Sequence, residues 1–101
     1  MEEELVVFAL QIRAARAVLG WKQADLAKLA GLAQPSIARI EKGNMIPRMS
    51  TVTKIRSVFR QHGVEVVDNS PQGGFTLQIA RPAVAAACKL MADPSRNVGS
   101  E

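Results

Sequence analysis

The chain has one cysteine, one histidine and no tyrosine among its 101 residues, and these scarcities remove most enzyme chemistries at the outset. Cys88 has no partner for an internal disulfide, and Cys88 with His62 falls short of the ligand set a zinc site takes. There is no Cys or His cluster, no pair of carboxylates at catalytic spacing and no phosphate-cradling glycine loop. Nothing therefore points to an enzyme, and no cofactor or metal is expected. The Gly73 and Gly74 pair reads as a turn. A run of about 18 apolar residues, the minimum for a membrane span, is missing. The opening MEEE is acidic where a secretory signal would be basic, so neither span nor signal peptide is expected and the cytoplasm is the expected compartment. Cys88 is expected to pack as a small apolar residue. His62, just before Gly63, is expected in a last helical turn, where its ring suits the helix dipole.

What is present suits one soluble domain with a real core: 48% of residues are hydrophobic. The net charge of +4 hides an uneven distribution. Ten Lys or Arg and only two acids, Asp25 and Glu41, fall between Arg13 and Arg60, whereas the remainder carries three bases and seven acids. A basic block between acidic ends is what attraction to phosphates at one surface requires.

Residues 23–42, QADLAKLAGLAQPSIARIEK, are the most informative stretch. Leu26 and Ala30 share one helical face; Ile37, Ile40 and Glu41 share another. Ala27 is small enough for a close helix crossing. Gly31 suits the left-handed residue that ends a first helix, with Leu32 tucked inward behind it. Pro35 fits the first turn of a second helix, where its missing N–H has no partner to lose. Gln34, Ser36 and Arg39 then point outward from the early turns of an apolar-backed helix, which is where base contacts are made in a DNA-reading helix-turn-helix. An ordinary helical hairpin is the competing reading, and the agreement of caps, crossing residue and polar face argues against it.

A first helix is expected from about residue 4 to Leu19, with Leu5, Phe8, Ala9, Ile12 and Leu19 in helical period, Glu2, Glu3 and Glu4 at its positive end, and Gly20 closing it. Trp21 is expected to pack over the junction that follows. After the loop GNMIPR, Val52, Ile55, Val58 and Phe59 mark a fourth helix, capped at Arg48 or Ser50 and stopped by Gly63. Val64 to Val67 and Phe75 to Ile79 then read as two strands around the turn DNSPQGG. Such a hairpin is marginal alone and must pack on the helices or extend across a partner. Pro82 opens a last apolar helix, AVAAACKLMA, which packs on its own domain or forms a subunit interface. The tail from Pro94 is expected to be disordered.

These residues resemble the lambda repressor and Cro type of helix-turn-helix, also called the Xre family. The likeness runs from about Ile12 to Val66 through RAARAVLGWKQADLAKLAGLAQPSIARIEKG, TVTKIRSVF and GVEV, with Gln23, Ala27, Gly31, Ile37, Ile40, Glu41 and Gly43 at pattern positions. The resemblance implies that Gln23 caps the second helix and binds a DNA phosphate, and that Gln34, Pro35, Ser36 and Arg39 read bases. Pro35 departs from the pattern, since proline has no side-chain hydrogen bond to offer and is left with a thymine methyl or with shaping the helix. The resemblance also implies a structural pair of Arg16 with Glu41. Chemistry supports the assignment: arginine matches guanine O6 and N7, and glutamine matches adenine N6 and N7. Lys22, Lys42, Asn44 and Arg48, at helix ends and in loops beside the duplex, are expected to hold phosphates.

The expected architecture is therefore mainly α: a four- to five-helix lambda-repressor-like domain over residues 4–63, a β-hairpin and C-terminal helix over 64–93 as a dimerisation element, and a tail over 94–101. The expected function is a dimeric, sequence-specific transcriptional repressor that binds double-stranded DNA at a pseudo-palindromic operator. The alternative is an antitoxin-type protein whose C-terminal part binds a partner, such as a toxin, while the helix-turn-helix autoregulates.

Overall fold

The computed structural model describes residues 3–69 and 72–92. The expected tail over 94–101, the placement of Glu2 and the middle of the hairpin turn lie outside the described residues. Within them the order is α1 (Glu3–Leu19), α2 (Gln23–Ala30), α3 (Gln34–Glu41), α4 (Met49–Gln61), β1 (Val64–Asp68), β2 (Phe75–Ile79) and α5 (Arg81–Ala92). This is the mainly helical architecture expected, with the hairpin and last helix where the change of sequence period puts them.

One hydrophobic cluster holds these elements. Phe8, Ile12 and Ala15 of α1 meet Leu26, Ala27 and Ala30 of α2, Ile37 and Ile40 of α3, and Ile55, Val58 and Phe59 of α4. Val64 of β1 and Ala83 of α5 belong to the same cluster. Burying each large aliphatic or aromatic member contributes about 1.5–3 kcal/mol. Trp21 half-covers the junction as expected, stacked on Phe59 at 6.0 Å between ring centroids with its other contact on His62 at 4.8 Å. His62 closes α4, its Nδ1 2.9 Å from the Val58 carbonyl.

Arg48 rather than Ser50 is the cap of α4. The hairpin is antiparallel, with Val64 opposite Ile79, Val66 opposite Leu77 and Asp68 opposite Phe75. It rests on α1 and α4, and a polar tie completes the attachment. Gln11, 2% exposed on α1, donates to Asp68 Oδ1 at 3.1 Å and accepts from Arg56 Nη2 of α4 at 3.0 Å.

At Gly63 the start of α5 packs closely on the backbone. The glycine φ is +88°, and a Cβ there would lie 3.0 Å from the Ala83 Cβ and 3.2 Å from the Ala83 nitrogen. The helix turns Ala83, Ala87 and Leu90 inward. Cys88 corrects the sequence reading: it is exposed, not packed. One step of about 100° around the helix from Ala87 carries it off the packed side.

Candidate nucleic-acid interface

The α2–α3 corner is built as its sequence dictates. Gly31 adopts φ +70°; its own N–H reaches the Lys28 carbonyl at 3.3 Å and the Leu32 N–H reaches that of Ala27 at 2.9 Å. Those bonds satisfy the last carbonyls of α2 and turn the chain sharply. A Cβ on Gly31 would meet nothing within 4 Å, so backbone conformation alone calls for glycine there. Leu32 follows, half-buried against the core.

From this corner α3 presents two unlike faces. Ile37, Ile40 and Glu41 are buried, whereas Gln34, Pro35 and Arg39 are exposed and Ser36 is half-buried. Pro35 lies in the first turn, where it costs no hydrogen bond. Among the described residues the side chains of Gln34 and Arg39 make no hydrogen bond within the protein.

The buried carboxylate of Glu41, 3% exposed, fixes the far end of α3. Arg16 grips it with two parallel bonds, Nε to Oε2 at 2.6 Å and Nη2 to Oε1 at 2.8 Å, and its third nitrogen donates to the Trp21 carbonyl at 2.9 Å. Gln23 Nε2 donates to Glu41 Oε1 at 3.1 Å. Arg13 donates to the Glu41 main-chain oxygen at the negative end of the helix. Three side chains from α1 and α2 therefore converge on one residue, and the pairing of Arg16 with Glu41 takes the bidentate form that fixes orientation as well as distance.

Gln23 corrects one expectation. The cap of α2 is Lys22, in extended conformation, and the Asp25 carboxylate accepts its N–H at 2.8 Å. Gln23 is one residue inside the helix, with its amide committed to Glu41. The Gln23 side chain turns to α3 instead of back to the first-turn backbone.

Lys22, Lys42, Asn44 and Arg48 are all exposed at the ends of α2, α3 and α4. Lys42 closes α3, Asn44 sits in the following turn with its N–H on the Arg39 carbonyl at 3.0 Å, and Arg48 precedes α4. Gln34, Ser36 and Arg39 thus share one short helix, with Lys42 and Asn44 directly beyond its end. The role of Arg13 escaped sequence reasoning, which counted it only as part of the basic block. Its spacing of three from Arg16 on one helix face was the available signal.

No helix among the described residues is long and apolar enough to cross a membrane, and no group of three or more potential metal ligands occurs among them. A family model described as Helix-turn-helix matches residues 12–65, just over half of the chain. No curated protein matches it.

Proposed function

The chain belongs to the helix-turn-helix family of the Cro and C1 type, a family of DNA-binding regulators, and from that premise we propose that it is a dimeric repressor reading a pseudo-palindromic operator with α3. The observation that carries this reading is the contrast between the two faces of α3. Its inner face is fixed by Ile37, Ile40 and the gripped Glu41, and its outer face offers the side chains of Gln34, Ser36 and Arg39, which make no hydrogen bond among the described residues. In this reading Gln34, Pro35, Ser36 and Arg39 address base edges, Arg39 preferring guanine and Gln34 adenine. Lys22, Lys42, Asn44 and Arg48 hold phosphates and set register, and Gln23 joins them through the second hydrogen of the amide that Glu41 accepts from.

One eight-residue helix covers a single half-site. Two copies about 34 Å apart along one face of the duplex supply the affinity that one module lacks at cellular salt. Residues 4–63 serve as the reading unit and 64–93 as the dimerisation element. Occupying a promoter is then sufficient to repress it.

Fluorescence anisotropy tests the reading, with DNA from upstream of the chain's own gene, a random duplex as control and a salt series. Preferential binding of the upstream duplex, lost in a Gln34→Ala, Arg39→Ala double variant, is the expected result. Equal weak binding to both duplexes, erased by moderate salt, overturns it, because phosphate attraction alone behaves that way.

A second reading has one observation in its favour: Val84 and Met91 on α5 are exposed, as a surface for a toxin-like partner would be. Size exclusion of the purified chain separates the two, since a stable homodimer argues against a missing partner.

A further inference from the structure

We infer that β2 is the dimerisation strand, pairing antiparallel with β2 of a second copy about a two-fold axis through Leu77 to give one four-stranded sheet. The inference deepens the dimeric reading above and rests on it.

The hydrogen bonds at the two ends of the hairpin settle which backbone groups point outward. The Ala80 N–H donates to the Gly63 carbonyl at 2.7 Å, and the Asn69 N–H donates to the Gly74 carbonyl at 3.2 Å. Bonded and non-bonded pairs alternate along an antiparallel ladder. With Gly63 bonded to Ala80 and Asn69 to Gly74, the register makes Glu65 with Gln78 and Val67 with Thr76 the bonded pairs inside the hairpin. Phe75, Leu77 and Ile79 therefore turn their N–H and C=O groups away from β1. Among the described residues no other backbone segment accepts or donates to them.

The sequence of this edge holds none of the residues that block strand addition. FTLQI carries no charge and no proline, and its register runs without a bulge. The other strand differs in charge: each strand rests on a helix, β1 on α4 and β2 on α1, but only β1 carries acids, Glu65 and Asp68. An uncharged edge beside a charged one marks β2 as the side that receives a partner.

Self-complementarity makes that partner a second copy of this chain. Antiparallel pairing centred on Leu77 sets Leu77 opposite its own mate, and Phe75 and Ile79 of one copy opposite Ile79 and Phe75 of the other. These are the residues with free outward groups, so each of the three pairs exchanges both of its hydrogen bonds. The same register sets apolar against apolar on the core face and Thr76 against Gln78 on the exposed face. It also covers Ile79, 42% exposed, with an aromatic ring. A shift of one residue would aim the outward groups of one strand at side-facing pairs of the other and oppose Leu77 to polar neighbours.

Three measurements on the full chain test this. First, sedimentation of the unaltered protein is expected to show a dimer at the concentrations that saturate operator DNA. Second, Thr76→Cys and Gln78→Cys are made separately in a Cys88→Ala background, mixed, and oxidised with oxidised glutathione. Residues 76 and 78 of opposing strands fall within disulfide reach, so the mixture is expected to give a covalent dimer well above the yield of either variant alone. Third, Ile79→Lys is expected to raise the dimer dissociation constant at least about tenfold with unchanged circular dichroism. A dimer that yields no excess cross-link overturns the β2 pairing and leaves the dimeric reading standing. A monomer that still reads the operator overturns both.

Discussion

The two helices α3 and α5 both show solvent a broad face, and the chemistry of those faces is opposite. In α3 the exposed positions are Gln34, Pro35 and Arg39, and three of eight residues are buried. In α5 the exposed positions include Val84, Ala85, Ala86, Cys88, Met91 and Ala92, and only Ala83 of twelve residues is buried. The first helix is held hard and presents polar groups; the second is held lightly and presents apolar ones. A helix that must meet base edges in register needs a rigid mount. A helix with little buried area gains from whatever later covers it.

Arg16→Ala tests the rigid side of that comparison with the largest expected effect. Removing one partner of a buried pair leaves Glu41 charged and without its main donor, at a cost of about 3–5 kcal/mol. For a domain of this size the fall in Tm is on the order of 20 °C. A fall of only a few degrees would mean that Gln23 and Arg13 hold α3 without the ion pair.

Gly63→Ala probes the light side. Positive φ and the contact with Ala83 together cost about 1–3 kcal/mol. Native-state hydrogen exchange is expected to show faster exchange in α5 and unchanged protection in α1 to α3. Equal acceleration everywhere would show that the two regions open as one unit.

Arg39→Ala and Lys42→Ala separate reading from holding. Arg39→Ala is expected to lose about 1–3 kcal/mol on the operator with little change on random duplex. Lys42→Ala weakens both alike and lowers the salt slope by about one. Equal losses on both duplexes for Arg39→Ala would remove it from the reading set. Met91→Ser has the smallest expected effect, within about 0.5 kcal/mol of the parent in dilute solution. A larger loss that grows with protein concentration would show that a second copy covers α5 as well.

The sequence made α1 to α4 legible because apolar period, glycine stops and Pro35 all agree, and each is a local signal. Ile37, Ile40 and Gly31 could be placed from spacing alone, and the outward face of α3 followed from them. β1 was found from its β-branched run and β2 from its alternation, one on each side of the turn. Long-range polar contacts carry no such local signature. The tie from Gln11 to Asp68 and Arg56 spans 57 and 45 residues, and the grip of Arg13 on Glu41 spans 28. Gln23 was misplaced for a related reason: the cap it was expected to form is made by Lys22 and Asp25, and a spacing of three between charged residues is too common to stand out. Cys88 was misjudged because composition favours burial of a lone cysteine, while the side a helix turns inward depends on which neighbours it meets.

Glu41 carries a thermodynamic consequence. Because its carboxylate is gripped from α1 and α2, α3 is mounted on the rest of the domain before any partner arrives. If Gln34, Ser36 and Arg39 read bases as proposed, the entropic cost of recognition falls mainly on the rotamers of the two long ones, Gln34 and Arg39, at about 0.5–1.5 kcal/mol each. Calorimetry should accordingly find a heat-capacity change that matches the interface area alone, without the added increment that coupled folding contributes.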